Sequence, residues 1–216
     1  LLPTSKILNM IDIIPGILEK DFAEIEKKLQ IIKPFSKKVH IDFLDGKFCE
    51  EKSFLDFAQF SKYKDDFFLE AHLMVEDPNQ YIKPLANAGF KRFLGHIEKM
   101  GNLEEFIAKG QIFGEVGLAL DIDTSVESIS INFDDIDTVL LMSVKAGKSG
   151  QEFLPEVLEK IRLLRQITQI TIEIDGGINE ETLIASRKAG AQRFVATRAI
   201  FQSQDPMESY EKLLSL

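Results

Sequence analysis

His40 and Asp42 stand two residues apart in the apolar run KKVHIDFLDG. On a β-strand alternate side chains leave from one face, so this imidazole and this carboxylate can hold one ion together. His72 closes FFLEAHLM, His96 sits near the end of FKRFLGHIE, and Asp175 falls just before the glycines of ITIEIDGG, so several strand-like runs each end on a polar group. Two of these histidines with two aspartates make a divalent-metal constellation. The bland alternative is an inward polar cluster satisfied by its own hydrogen bonds. In either case the tips must converge, which requires a closed or strongly twisted parallel sheet.

The elements that would position these groups alternate along the chain. IDIIPGIL precedes DFAEIEKKLQII, VHIDFL precedes SFLDFAQFSKY, FLEAHLMV precedes PNQYIKPLANAG and RFLGHIE precedes NLEEFIAKG. EVGLALDI then precedes SVESISINF, TVLLMSV precedes PEVLEKIRLLRQI, ITIEIDGG precedes EETLIASRKAG and RFVATRAIF precedes DPMESYEKLLSL. Apolar strands alternating with helical periods imply a parallel sheet buried on both faces, and eight such units predict a compact α/β fold, a (β/α)8 TIM barrel. One domain over residues 1–216 is expected. Asp77 with Pro78, and Asp205 with Pro206, read as helix N-caps followed by proline at the first helical position. Gly89 and Gly190 fall where helices should end. In such a barrel the chemistry sits at the C-terminal ends of the strands, where His40, Asp42, His72, His96, Asp175 and the 195–198 turn all fall.

Composition narrows the partner. The 216 residues carry a net charge of −9 and a pI near 5.0, which argues against nucleic acid because a phosphate backbone needs a clustered basic face. A small anionic substrate would need a local basic or backbone N–H pocket against the field of the whole molecule. Cys49 is the one cysteine, which excludes an internal disulfide and fits a reducing compartment. The opening LLPTSKILNMIDII shows no basic region ahead of a long apolar core and no small-residue cleavage site, and no run is long enough for a membrane span. The expectation is a cytoplasmic chain with no membrane partner.

The series PGILEKDF, VHIDFLDGKF, EAHLMVEDP, LLMSV followed by GQEFLPEVLEKI, IEIDGGIN and VATRAIF resembles the ribulose-phosphate 3-epimerase family, in order and along nearly the whole chain. These motifs come from separate strands, so together they outweigh any lone glycine motif. The resemblance implies a (β/α)8 barrel that epimerises C3 of a ketopentose phosphate, ribulose 5-phosphate to xylulose 5-phosphate, with one divalent metal. It maps the metal ligands onto His40, Asp42, His72 and Asp175, with Asp42 and Asp175 also the acid-base pair. Two of the family's pocket methionines map onto Met74 and Met142, and Leu44 replaces the third. It also makes a homo-oligomer reasonable. The chemistry asks for these residue types independently. Removing a proton beside a carbonyl leaves an enediolate whose charge a metal offsets, and inversion then needs one carboxylate on each face. Two imidazoles and two carboxylates accept zinc, iron(II), manganese or cobalt, and the sequence does not choose. For His96 a supporting role is expected rather than direct ligation.

The phosphate end departs from the family. Its usual NPGFGGQ turn reads Lys145-Ala146-Gly147-Lys148-Ser149-Gly150-Gln151 here, its Gly-Ser after the eighth strand is Thr197-Arg198, and its early serine is Gly16. Glu50-Glu51 replaces Pro-Asn after the second strand and Asp121-Ile122 replaces Asn-Pro after the fifth. Gly176 and Gly177 remain and would let backbone amides approach an anion. Arg198 could add a bidentate grip with Lys148 as a point charge, or both could be solvated surface charges, or Arg198 could fill the phosphate cup. Three functions therefore compete: a ribulose 5-phosphate epimerase, the same chemistry on another ketose such as a hexulose 6-phosphate, and a non-catalytic barrel that keeps the ligands.

Overall fold

The computed structural model describes residues 11–147 and 150–216. The reading of the first ten residues and the substrate contacts expected of Lys148 and Ser149 lie outside the described residues.

Eight strands form one closed parallel barrel: β1 (Asp12–Ile17), β2 (Lys38–Leu44), β3 (Phe68–Met74), β4 (Phe90–His96), β5 (Glu115–Leu120), β6 (Thr138–Met142), β7 (Thr171–Asp175) and β8 (Arg193–Ala196). Each pairs with its successor, and β8 pairs with β1 through Asp12 opposite Arg193. This is the (β/α)8 TIM barrel expected from the alternation. Its helices are α1 (Phe22–Ile32), α2 (Ile82–Asn87), α3 (Leu103–Gln111), α4 (Val157–Ile167), α5 (Glu180–Ala189), the short α6 (Arg198–Phe201) and α7 (Pro206–Leu214).

Local chemistry sets the helix starts. Asp21 accepts from the Ala23 N–H at 2.6 Å and opens α1, whose Phe22, Ile25, Leu29 and Ile32 then recur on one face and are buried. Asn179 and Thr182 exchange side-chain and backbone bonds in a capping box at the start of α5. Asp205 accepts from Met207 and Glu208 ahead of Pro206, as the sequence predicts. Gly190 ends α5 at φ 123°.

Three local expectations are corrected. Asp77 makes no N-cap bond: it adopts φ 50°, its carboxylate accepts from the Gln80 side chain, and Pro78–Gln80 forms only a 3₁₀ turn. Residues 57–63 form a 3₁₀ helix, not an α-helix. The segment SVESISINF forms two short 3₁₀ turns, Val126–Ser128 and Phe133–Asp135, because Ile129, Ile131 and Phe133 alternate with a period of two and the Asn132 side chain accepts from the Asp134 N–H.

The strands divide their side chains between two environments. Ile41, Phe43, Leu73, Phe93, Leu118, Leu141 and Ile174 join the core between barrel and helices. The alternate positions turn inward: His40 on β2 lies 3.5 Å from Glu173 on β7, and these strands are not neighbours, so both side chains enter the barrel. The outer core is anchored by an aromatic group in which Phe60 meets Phe22, Phe43 and Phe90 edge to face, with centroids at 5.2, 5.8 and 5.3 Å. Phe60 is fully buried, so Phe60→Ala should destabilise the fold by about 3–5 kcal/mol in denaturant titration. A loss under about 1 kcal/mol would show that the ring is not packed as described.

Candidate active site

β2 and β3 pair in a register that sets Asp42 directly beside His72, and both face the interior with His40. Asp175 ends β7, which is separated from β2 by β1 and β8 around the barrel, so its carboxylate meets the others across the mouth. His40, Asp42, His72 and Asp175 each offer one ligand atom, and these atoms all lie within 4.8 Å of one another. The Nε2 of His40 is 3.2 Å from Asp42 Oδ1 and 4.0 Å from Asp175 Oδ2, and the Nδ1 of His72 is 2.7 and 3.6 Å from the same atoms. Two imidazole nitrogens and two carboxylates with these spacings fit a divalent cation such as zinc, iron(II), manganese or cobalt.

A second set of charges lies deeper in the barrel. Nδ1 of His40 donates to Glu70 Oε1 at 2.6 Å, and the other oxygen of Glu70 accepts from Arg92. Arg92 also reaches Glu115 at 2.7 Å, while Arg193 pairs with Glu173 at 3.1 Å and with Asp12 at 3.4 Å. The alternating arginines neutralise the buried glutamates and leave His40 turned with Nε2 toward the cluster.

These surroundings push the two aspartates apart. Burial alone would raise Asp42, but hydrogen bonds from His40 and His72 outweigh it and hold the carboxyl well below its ordinary range. Burial raises Asp175 to about 6, and repulsion from Asp42 adds to it. One carboxylate is thus kept ionised beside one poised to carry a proton.

Leu44, Met74 and Met142 pack with Leu94, Leu140 and Val144 into a separate apolar cluster at the mouth. Met74 and Met142 line the cleft with Asp42 and Asp175, whereas Leu44 faces an adjoining groove. His72 is fully buried and lies behind the cleft wall. At the other end the lining includes Gly147, Gly150, Gln151, Gly176, Gly177, Thr197 and Arg198. Gly177 sits at φ 62° with the Phe153 backbone 2.7 Å from where a Cβ would lie, so only glycine fits there. Gly16 lies behind Thr197: a Cβ there would come within 2.7 Å of Thr197 Oγ1. Arg198 is exposed, lines the cleft, and donates Nη2 to the Gln151 carbonyl at 2.7 Å.

Several residues of this site were not singled out from sequence. Glu70 and Glu173 are buried charges within apolar strand runs, and that placement is the signal that could have found them. Ser143 ties β6 to β7 by donating Oγ to the Asp175 carbonyl at 2.9 Å. Glu98 carries no such mark, because it sits in a short turn among ordinary surface acids, and Asp121 stood out only as a departure from the family pattern.

A closed (β/α)8 barrel with paired carboxylates and imidazoles at its C-terminal rim defines a class of barrel enzymes. The profile of the Ribulose-phosphate 3 epimerase family matches residues 12–201, and the chain belongs to that family. It is 37% identical over 203 residues to a ribulose-phosphate 3-epimerase of Schizosaccharomyces pombe, covering 91% of this chain and 89% of the relative. It is 32% identical over 213 residues to one of Bacillus subtilis, covering 94% and 98%. Among solved structures it resembles KGPDC from Streptococcus mutans, with a TM-score of 0.71 at 12% identity over 95% of this chain and 97% of that one. It also resembles orotidine 5'-phosphate decarboxylase from Pyrococcus horikoshii, with a TM-score of 0.65 at 14% identity over 94% and 97%. These structural likenesses speak for the fold alone. No helix among the described residues is long and apolar enough to cross a membrane.

Burial raises Glu98, but a hydrogen bond from His96 outweighs it and lowers the carboxyl to about 2 from the ordinary 4.5. A depressed acid contributes stability that is fully present above its unfolded value and lost as pH falls through its folded value. The denaturation midpoint should therefore drop between pH 4.5 and 2, and less steeply in Glu98→Gln. Parallel curves for the two proteins would contradict this assignment.

Proposed function

We propose that the protein, working as one (β/α)8 domain, is a metal-dependent epimerase that inverts C3 of a ketose phosphate, with D-ribulose 5-phosphate and D-xylulose 5-phosphate as the pair. The observation that carries this reading is the juxtaposition of Asp42 and Asp175, which reach one buried cluster from strands on different sides of the barrel. The names of the relatives support the substrate.

The proposed chemistry is a proton removed from C3 on one face and a proton returned on the other. Asp42, held ionised by His40 and His72, accepts the C3 proton, and Asp175 delivers its own to the opposite face. The electron pair left by the C–H bond rests on the adjacent carbonyl oxygen in an enediolate until reprotonation restores the ketone. In the reverse direction the two aspartates exchange roles. His40, Asp42, His72 and Asp175 would hold a divalent ion, which would supply positive charge to offset the negative charge developing on the substrate oxygens. Met74, Met142 and Leu44 keep that region apolar and so strengthen every electrostatic interaction within it. The phosphate is received by the backbone of Gly176 and Gly177 and by Gly147 and Gly150, with Thr197 and Arg198 at its edge.

A second reading, the same inversion on a hexulose 6-phosphate or another ketose, is favoured by the altered anion end. There Thr197 occupies the space in front of Gly16, and Arg198 is tied to Gln151.

Metal-loaded protein in heavy water should place deuterium at C3 of ribulose 5-phosphate. Asp42→Asn and Asp175→Asn should each lower turnover by about 10²–10⁴-fold. No exchange into any ketose phosphate, or near-normal turnover in either variant, would end the proposal. Arg198→Ala should raise KM for the phosphorylated sugar by about tenfold or more while leaving a free ketose unaffected. Equal effects on both sugars would remove the anion role of Arg198.

A further inference from the structure

His96 is fully buried behind the cluster and belongs to none of the groups within ligand distance of one another. Its Nε2 points at Nε2 of His72 at 3.0 Å, and its Nδ1 points at Glu98 Oε2 at 2.8 Å. The ring meets His72 edge to edge at an interplanar angle of 27° with centroids 5.1 Å apart, and Phe48 covers it with centroids 4.7 Å apart. The chain of contacts His72, His96, Glu98 admits one arrangement of protons when its outer end is a carboxylate and His96 is neutral. Glu98 can only accept, so Nδ1 of His96 must donate to it. In a neutral His96 the Nε2 is then bare and accepts, so Nε2 of His72 must donate. With Nε2 protonated, Nδ1 of His72 is the nitrogen left to ligate when a dication takes the place of its 2.7 Å hydrogen bond to Asp42.

We propose that Glu98 is a positioning residue for the metal cluster, acting through His96 to fix the proton on the outer nitrogen of His72 and keep the inner nitrogen ready to ligate. This deepens the functional reading above and rests on its claim that the cluster holds a divalent ion.

The carboxylate at position 98 is required because both of its oxygens face donors. Oε2 accepts from His96, and Oε1 accepts from the Asp121 backbone N–H at 2.7 Å. A glutamine has a single acceptor oxygen and would have to present its NH₂ to one of those donors. The outer end is itself anchored. Lys160 Nζ donates to the Asp121 and Ile122 carbonyls at 2.7 and 3.0 Å, and Asp121 Oδ1 accepts from the Ala146 N–H at 2.9 Å, beside Gly147 of the cleft lining. The same carboxylate that orients His72 therefore also holds the strand exit supporting the anion end of the cleft.

The test is side-chain nitrogen NMR of the Zn(II)-loaded protein together with Zn(II) affinity by chelator competition, in wild type and Glu98→Gln. The wild type should show His96 as a neutral ring protonated on Nδ1 and His72 protonated on Nε2. Glu98→Gln should weaken Zn(II) binding by about 10–100-fold and disturb the His96 tautomer, with a cooperative thermal transition retained. Wild-type His96 protonated on Nε2 would overturn the proposal even if the variant did not fold. So would a folded variant with unchanged Zn(II) affinity and unchanged tautomers, and in that case the functional reading stands. A wild type that binds no Zn(II) would sink both.

Discussion

Two carboxylates and two imidazoles held within 4.8 Å of one another in the interior of a barrel are an electrostatic demand that the rest of the structure has to meet. Carboxylates removed from water repel one another strongly, and burial disfavours each charged form. The molecule divides the cost. Asp42 is held ionised by two histidines, Asp175 is pushed toward its protonated form, and deeper glutamates are paired with Arg92 and Arg193. A site built this way favours a dication and a migrating proton, which are the two things that carbon-acid chemistry beside a carbonyl needs.

The barrel supplies the geometry at little local cost. Parallel register sets Asp42 beside His72, and closure through β8 and β1 brings Asp175 on β7 to the same point. The outward alternation of Ile41 and Phe43 on the same strand as His40 and Asp42 puts packing and chemistry on opposite faces of one seven-residue segment. Each metal-facing histidine is turned by a carboxylate on its far side, buried Glu70 with Arg92 for His40 and Glu98 through His96 for His72. Neither histidine depends on the cluster alone for its orientation.

Much of this was legible in the sequence because it is periodic. A period of two over KVHIDFL fixes which residues share a face, and eight alternations of strand and helix period fix the barrel. The helix expected over SVESISINF did not form: Ile129, Ile131 and Phe133 follow strand periodicity and Asn132 bonds the backbone beside it, and counting the segment as a helix let the repeat override the local signal. Asp77 failed as a cap for a related reason, since an Asp-Pro pair also fits a turn and here takes a left-handed backbone. The supporting residues were harder. Glu98 gains its meaning from a partner on the neighbouring loop, Asp121, and nothing in sequence spacing marks two loop acids as meeting. The fit of Gly16 behind Thr197 is likewise a contact between β1 and the end of β8, almost the whole chain apart.

The central claim is that one dication sits among His40, Asp42, His72 and Asp175. X-ray absorption at the zinc edge of the Zn(II)-loaded protein tests it most directly. The account predicts one zinc per chain with a shell of nitrogen and oxygen donors near about 2.0–2.2 Å and the multiple-scattering signature of two imidazoles. A shell without imidazole scattering, or zinc bound with no fixed stoichiometry, would contradict it.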